Sequence, residues 1–345
     1  MRLKKFVKLY IAIPFSLLFL TLLINIIIDP YSMTSYNLLK IPNKFARDDR
    51  GEKVTKLYNS PRYDNMIFGS SRVYVTNPLM ISKYLGGRTY NCGVGTALIE
   101  DQLGFLLFLQ KIGKLPKNAI FGLDFYSFNP NVETNKYFIK NSELNFMKKD
   151  SSVSIYFEKF LSIDALRASF KTFYNFMVNS KEVPRFDENG GAYGVSKNFS
   201  YQLKDFKQTT FNPLFIANDK HKIKTVNYKD ISQDRLAYVK KIVDICKNED
   251  MNCTFFTTPL NGQMLAEFTS DKIQKKTLEK FKKELVKITP YYDFLYHNKI
   301  IDNSSYFVDT MHFRPEAGNL LFARLFHDKN ISLPENFGVY KDKIR

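Results

Sequence analysis

Apolar residues are distributed along this chain in three regimes. Residues 9–28 run twenty positions without a charge, interrupted only by Pro14 and Asn25. At 1.5 Å per residue that is about 30 Å of helix, the thickness of a bilayer's hydrocarbon core. From residue 63 onward, short apolar runs alternate with helical stripes. The runs predict strands over 66–68, 88–92 and 117–124, and the stripes predict helices over 77–85 and 98–112. The pattern then loosens until residue 231, with a helix over 162–177 and a Gly-rich loop over 185–194 as its only clear features. Regular alternation resumes with a helix over 233–247, whose stripe is Leu236, Val239, Ile242, Val243 and Cys246. A strand over 253–259, a helix over 278–288, a strand over 292–296 and a helix over 315–326 follow. Strand and helix alternating in this way predict an α/β fold, a parallel sheet with helices on both faces.

The first apolar run is expected to be an anchor. Arg2, Lys4, Lys5 and Lys8 precede it and Asp29 follows, which places residues 1–8 in the cytoplasm and the main domain outside the cell membrane. A cleaved signal peptide would have a shorter apolar core followed by small residues. Ile26-Ile27-Ile28-Asp29-Pro30-Tyr31 offers no such site. Residues 29–62 are polar and read as a linker, 63–330 as the α/β domain with an insertion over about 126–230, and 331–345 as a basic tail. The insertion is rich in Phe and Tyr. It reads either as a cover or substrate-binding layer beside the site or as ordinary core aromatics.

Composition narrows the partners. With 51 basic against 34 acidic residues the formal charge is +17, which suits an anionic partner such as lipid headgroups or an acidic polymer. The lysines are scattered, with no arginine-rich cluster and no nucleic-acid-binding module, so nucleic acid is not expected. Cys92, Cys246 and Cys253 match no metal spacing. The last two lie near enough in sequence to meet, but are expected to be buried thiols.

Two stretches carry chemistry. Met66-Ile67-Phe68 finishes a buried strand, Gly69 breaks it, and Ser70, Ser71 and Arg72 follow on the turn to the next helix. A serine there is held at the carboxyl edge of the sheet, with backbone N–H groups facing the same point. Far along the chain, Asp309 stands three residues before His312. At that spacing either a carboxylate reaches the ring and fixes its tautomer, leaving the other nitrogen to take a proton from a serine, or the Asp simply caps a turn beside a surface His.

The two stretches, in this order, resemble the SGNH (GDSL-type) hydrolase superfamily. Gly69-Ser70-Ser71 stands for its Gly-Asp-Ser block and Asp309/His312 for its Asp-x-x-His block. The Gly-Ser-Ser-Arg variant is most similar to the membrane-anchored branch near polysaccharide O-acetylases and the D-alanine transfer protein of teichoic acid operons. The resemblance implies Ser71 as nucleophile, His312 as base and Asp309 as its orienter, with Ser70 where the family has Asp. It implies an oxyanion-hole glycine in Asn91-Cys92-Gly93-Val94-Gly95-Thr96, where Gly93 or Gly95 could serve because the family's position falls on Thr96. Asp124 falls where the family has an oxyanion-binding Asn. An ionised Asp only accepts hydrogen bonds, so Asp124 is either protonated or has another task such as pairing with Arg72. The resemblance further implies transfer or hydrolysis of acyl groups, acetyl foremost, on a cell-surface polysaccharide or other anionic polymer. The partner would be a membrane-bound O-acyltransferase or polymer synthase, with no cofactor and no metal. A catalytically inactive binding or assembly subunit of a polymer-modification complex is the alternative that Asp124 favours.

Overall fold

A computed structural model of the chain describes residues 2–30, 39, 41, 49–141, 143–147, 160–178, 186–191 and 229–343. Its helices are α1 (Arg2–Ile28), α2 (Asp49–Asn59), α3 (Pro78–Leu85), α4 (Ile99–Lys111), α5 (Lys136–Lys140), α6 (Ile163–Met177), α7 (Gln233–Asn248), α8 (Gly262–Ser270), α9 (Lys272–Ile288) and α10 (Pro315–Leu325). Its strands are β1 (Asn65–Phe68), β2 (Thr89–Asn91), β3 (Asn118–Leu123), β4 (Asn252–Thr257), β5 (Tyr291–Asp293) and β6 (Val339–Lys341). The chain divides into two units, Met1–Ser60 with Lys136–Pro184, and Pro61–Asn135 with Arg185–Arg345.

The second unit is built on a six-stranded sheet in the order β2-β1-β3-β4-β5-β6. The first five strands are parallel, as the alternation predicts, and β6 runs antiparallel to β5. β6 lies inside the expected basic tail, which is therefore partly a strand. All three of its residues are exposed, so no apolar pattern marked it, and its Tyr340 ring sits 5.1 Å from that of Tyr292. Gly338 turns the chain into β6 at φ 74°, pressed so close to the Phe294 ring that no side chain fits.

Alternation across the pleat sorts the core. Ile67, Ile120 and Phe256 face one side, where they join Ile81 of α3 and Leu321 and Phe322 of α10. Their neighbours Phe68, Phe121 and Phe255 point the other way. There they stand in register on three adjacent strands, ring centroids 4.8 and 5.0 Å apart. On the helical layers, α7 packs on α4, α9 and β4. At the opposite end of the strands Asn118 Nδ2 donates to Asn65 Oδ1 (2.7 Å), and Asn252 Nδ2 donates to Asn118 Oδ1 (3.1 Å). These three residues occupy paired positions, so the amide ladder fixes the register of β1, β3 and β4.

Cys246 and Cys253 are not the buried thiols expected from sequence. They form a disulfide between the end of α7 and the start of β4. The connecting turn brings them together, with Asp250 at φ 50° and Met251 N–H donating to the Cys246 carbonyl. Cys92 remains a buried free thiol.

The first unit departs from the expected layout in two respects. The linker over 29–62 contains α2, and the 136–184 part of the expected insertion belongs with the N-terminal segment. Here α6 packs on α1, and the buried Asn25 side chain donates to the Phe160 carbonyl and accepts from Ser169 Oγ. Among the described residues no helix is both long and apolar enough to cross a membrane. In α1 the unbroken run of described side chains extends from Ala12 to Ile28. Most of the linker before residue 49, the loop from 192 and the insertion up to 228 lie outside the described residues, as do the last two residues of the tail.

Candidate active site

β1 is buried along its whole length and delivers the chain to the sheet's carboxyl edge, where Ser71–Val73 form a single 3-10 turn. Ser70 caps that turn. Its Oγ accepts from Arg72 N–H (3.2 Å), and its carbonyl accepts from Val73 N–H. Ser70 is thus spent inside the protein while Ser71 reaches the surface of the site.

The turn is seated by Val73, around which three glycines converge. A Cβ on Gly69 would stand 2.8 Å from a Val73 methyl, one on Gly122 would stand 2.9 Å away, and one on Gly93 would overlap it. Asn91 completes the seat. Its Nδ2 donates to the Val73 carbonyl (2.7 Å) while its Oδ1 accepts from Gly93 N–H (2.9 Å).

The second stretch is a small hairpin closed by a bridge between Phe307 and Phe313, both fully buried beside Val75, Ile301 and Ala317. Val308 N–H donates to the His312 carbonyl (2.9 Å) across it. Asp309 organises the tip, because Oδ1 accepts from Met311 N–H (2.7 Å) and His312 N–H (2.8 Å). Pro315 then starts α10, as expected, and Arg314 Nε donates back to the Phe307 carbonyl (2.9 Å).

These supports bring the two stretches together. Ser71 Oγ lies 2.9 Å from His312 Nε2, and His312 Nδ1 lies 2.9 Å from Asp309 Oδ2. With a carboxylate at Nδ1, the neutral ring keeps its proton there and presents the Nε2 lone pair to the serine hydroxyl. Burial tends to push the Asp309 carboxyl up. The hydrogen bond and charge of His312, with the two backbone N–H donors, outweigh it and hold the carboxyl below its ordinary value.

Arg72 points away from the serine into the protein. Its guanidinium donates to Asp124 Oδ1 (2.7 Å) and Thr258 Oγ1 (3.0 Å), lies against Met311 Sδ, and stands over the Tyr126 ring at 5.3 Å. Arg72 and Asp124 are 3% and 1% exposed, a fully buried ion pair. Burial first, then the Asp124 charge, push the Tyr126 phenol up, and its hydroxyl donates to the Ala97 carbonyl (2.7 Å). Of the two oxyanion candidates, Gly93 has its N–H committed to Asn91. Gly95 accepts from the Thr96 hydroxyl through its carbonyl (2.8 Å). Thr96 itself adopts φ 49°, a left-handed conformation that a β-branched residue resists and glycine does not. The Ser71 N–H makes no hydrogen bond to a described residue.

Sequence reasoning missed Asn91, Thr258 and Met311. Thr258 falls inside the stretch expected as a strand over 253–259, and in the structure it begins the loop after β4. Asn261 of that loop donates its N–H to the Thr310 carbonyl within the hairpin. Among the described residues, no group of three or more His, Cys, Asp or Glu is placed to hold a metal ion. No protein-family model matches the chain, and no curated protein matches its sequence. A hydroxyl, an imidazole and a carboxylate hydrogen-bonded in series at the carboxyl edge of a parallel sheet are equipped for nucleophilic attack on a carbonyl.

Proposed function

We propose that the chain is a membrane-anchored, extracytoplasmic serine acyltransferase or esterase of the SGNH type. It acts on acyl groups, acetyl foremost, of a cell-surface polysaccharide or similar polymer. The observation that carries the reading is the Ser71–His312–Asp309 series. Ser71 Oγ bonds to the acyl carbon as its proton passes to His312 Nε2. Collapse of the tetrahedral adduct breaks the donor's C–O bond, and the departing oxygen takes the proton from His312. A sugar hydroxyl or water then repeats the sequence on the acyl-enzyme and frees Ser71. Asp309 keeps the ring oriented and supports its charge. The Ser71 N–H is one donor to the oxyanion.

The anchor is residues 9–28, and the disulfide suits an oxidising compartment outside the cytoplasm. A membrane-embedded partner, an O-acyltransferase or polymer synthase, would supply the acyl group or the polymer. The second reading is a subunit that keeps the fold without the reaction, favoured by the ion-paired Asp124 where the resembled family has an oxyanion donor. Labelling of the detergent-solubilised chain with a serine-directed fluorophosphonate separates the two. The catalytic reading expects labelling and slow turnover of an activated ester, both abolished in Ser71→Ala. If the wild type is inert to both while Ser71→Ala still supports polymer modification in cells, the subunit reading stands.

A further inference from the structure

α6 has three faces, one of them buried, one apolar and exposed, and one polar. The buried face is Ala165, Ala168, Ser169 and Thr172, small side chains that let α6 approach α1 closely. At about 100° per residue, the next arc of the helix carries Phe173, Leu166, Met177, Phe170, Ile163 and Tyr174 without a polar interruption. These are large apolar groups turned outward. Ile163 is 69% exposed, Tyr174 and Met177 65% each and Phe170 58%. The third arc is polar, with Arg167, Lys171 and Asn175.

The level of this helix on α1 is fixed by Asn25, whose side chain is buried between Ser169 Oγ and the Phe160 carbonyl. Asn25 stands four residues before Asp29, the first charge after the apolar run, a rise of about 6 Å. Ahead of it, residues 12–20 of α1 are exposed on every side and almost wholly apolar. The Asn25–Ser169 bond therefore ties α6 to α1 near the end of the apolar run, at the depth where an interfacial helix lies, about 5–10 Å below the headgroups.

We propose that α6 is a second membrane element, a helix lying in the outer bilayer interface. Its Phe170, Phe173, Tyr174 and Met177 face is buried among acyl chains, and Asn25 locks it to the anchor. Arg167 and Lys171 lie on the polar arc, turned away from that face. This placement rests on the anchored reading of α1. Its effect would be to hold the first unit at a fixed depth, where a single span leaves rotation and tilt open.

The chain contains no tryptophan, so one substitution makes a clean reporter. Full-length Phe170→Trp, Lys171→Trp and Leu18→Trp would be reconstituted in phosphatidylglycerol–phosphatidylethanolamine vesicles with a fraction of acyl chains brominated. The expected result is at least about twofold loss of Leu18→Trp and Phe170→Trp emission to the brominated chains. Lys171→Trp, one residue on but turned about 100° away, is spared and remains open to aqueous acrylamide. If Leu18→Trp is quenched by lipid while Phe170→Trp is as open to acrylamide as Lys171→Trp, the anchor stands and the interfacial helix is wrong. The face would then await a protein partner. If Leu18→Trp itself escapes the brominated chains, the anchored reading fails and takes this placement with it.

Discussion

Arg72 follows the candidate nucleophile directly, and its guanidinium is buried with Asp124 rather than offered to a substrate. Asp124 thus has a partner that needs its charge. Asp124→Asn would leave a buried guanidinium uncompensated, with an expected loss of about 3 kcal/mol of stability. In a chain of this size that lowers the melting temperature by about 4 °C. Ester turnover should fall with it, since the strap holding Arg72 also holds the turn of Ser71. Unchanged melting with faster turnover would instead assign position 124 to the oxyanion. Asp309 yields a different signature. Its carboxyl is held below the ordinary value, so its contribution is fully present above the unfolded-state pKa of about 4 and fades as pH falls through the folded one. The stability gap between wild type and Asp309→Asn should therefore persist down to about pH 5 and close progressively as the pH falls below about 4. At neutral pH the variant should retain the fold and lose about 10³- to 10⁴-fold in turnover. A gap that fails to close below about pH 4 would mean that the partnership with His312 is absent. The meeting of Ser71 with His312 and Asp309 was readable because the Gly-Ser-Ser and Asp-x-x-His blocks stand in the order of the superfamily they resemble, whereas either block alone reads equally well as an ordinary turn. Asn91 and Thr258 were not, since what they do depends on strands that become neighbours only in the folded sheet.

Most of the elements were legible where the apolar stripe reached their ends. α7 begins where expected and ends one residue later, at Asn248. α9 starts at Lys272, well ahead of the expected residue 278, because Asp271 caps it by accepting from Ile273 and Gln274 N–H groups. Its first turns are too polar to show a stripe. α2 was hidden for the same reason, having little apolar content while burying Arg50 and Lys53. The register of β1, β3 and β4 was present in the sequence as an Asn opening each strand, a signal readable only once the strands are known to be adjacent. The disulfide joins two of these elements across a short turn. Closing so small a loop in the unfolded chain is worth about 2–3 kcal/mol. Cys246→Ser should lower the denaturant midpoint accordingly, and reductant should do the same to wild type while leaving the variant unchanged. Thiol titration of the denatured chain should give one reactive group before reduction and three after it. Three before reduction would show that the bond does not form.

At the scale of the whole chain, residues 241 positions apart meet because β1 and the hairpin before α10 both open onto the carboxyl edge of one sheet. That edge forms on either side of a membrane, so the proposed substrate depends on topology rather than on the site. Arg2, Lys4, Lys5 and Lys8 ahead of an apolar run argue for a cytoplasmic N-terminus. The disulfide argues independently for an oxidising exterior, because cytosolic thiols of most organisms are kept reduced. Two measurements on the same cells test the two arguments separately. Protease added to intact spheroplasts should remove everything beyond the anchor and leave a short N-terminal fragment. A thiol-alkylating reagent applied at lysis should spare Cys246 and Cys253 until reductant is added. Digestion together with protected cysteines places the Ser71 site where a cell-surface polymer can reach it. Full protection from protease together with freely alkylated cysteines would put the sheet in the cytoplasm. The hydroxyl–imidazole–carboxylate series would keep its chemistry there, but its acyl acceptor would have to be a cytoplasmic molecule, and the extracellular polymer would fall.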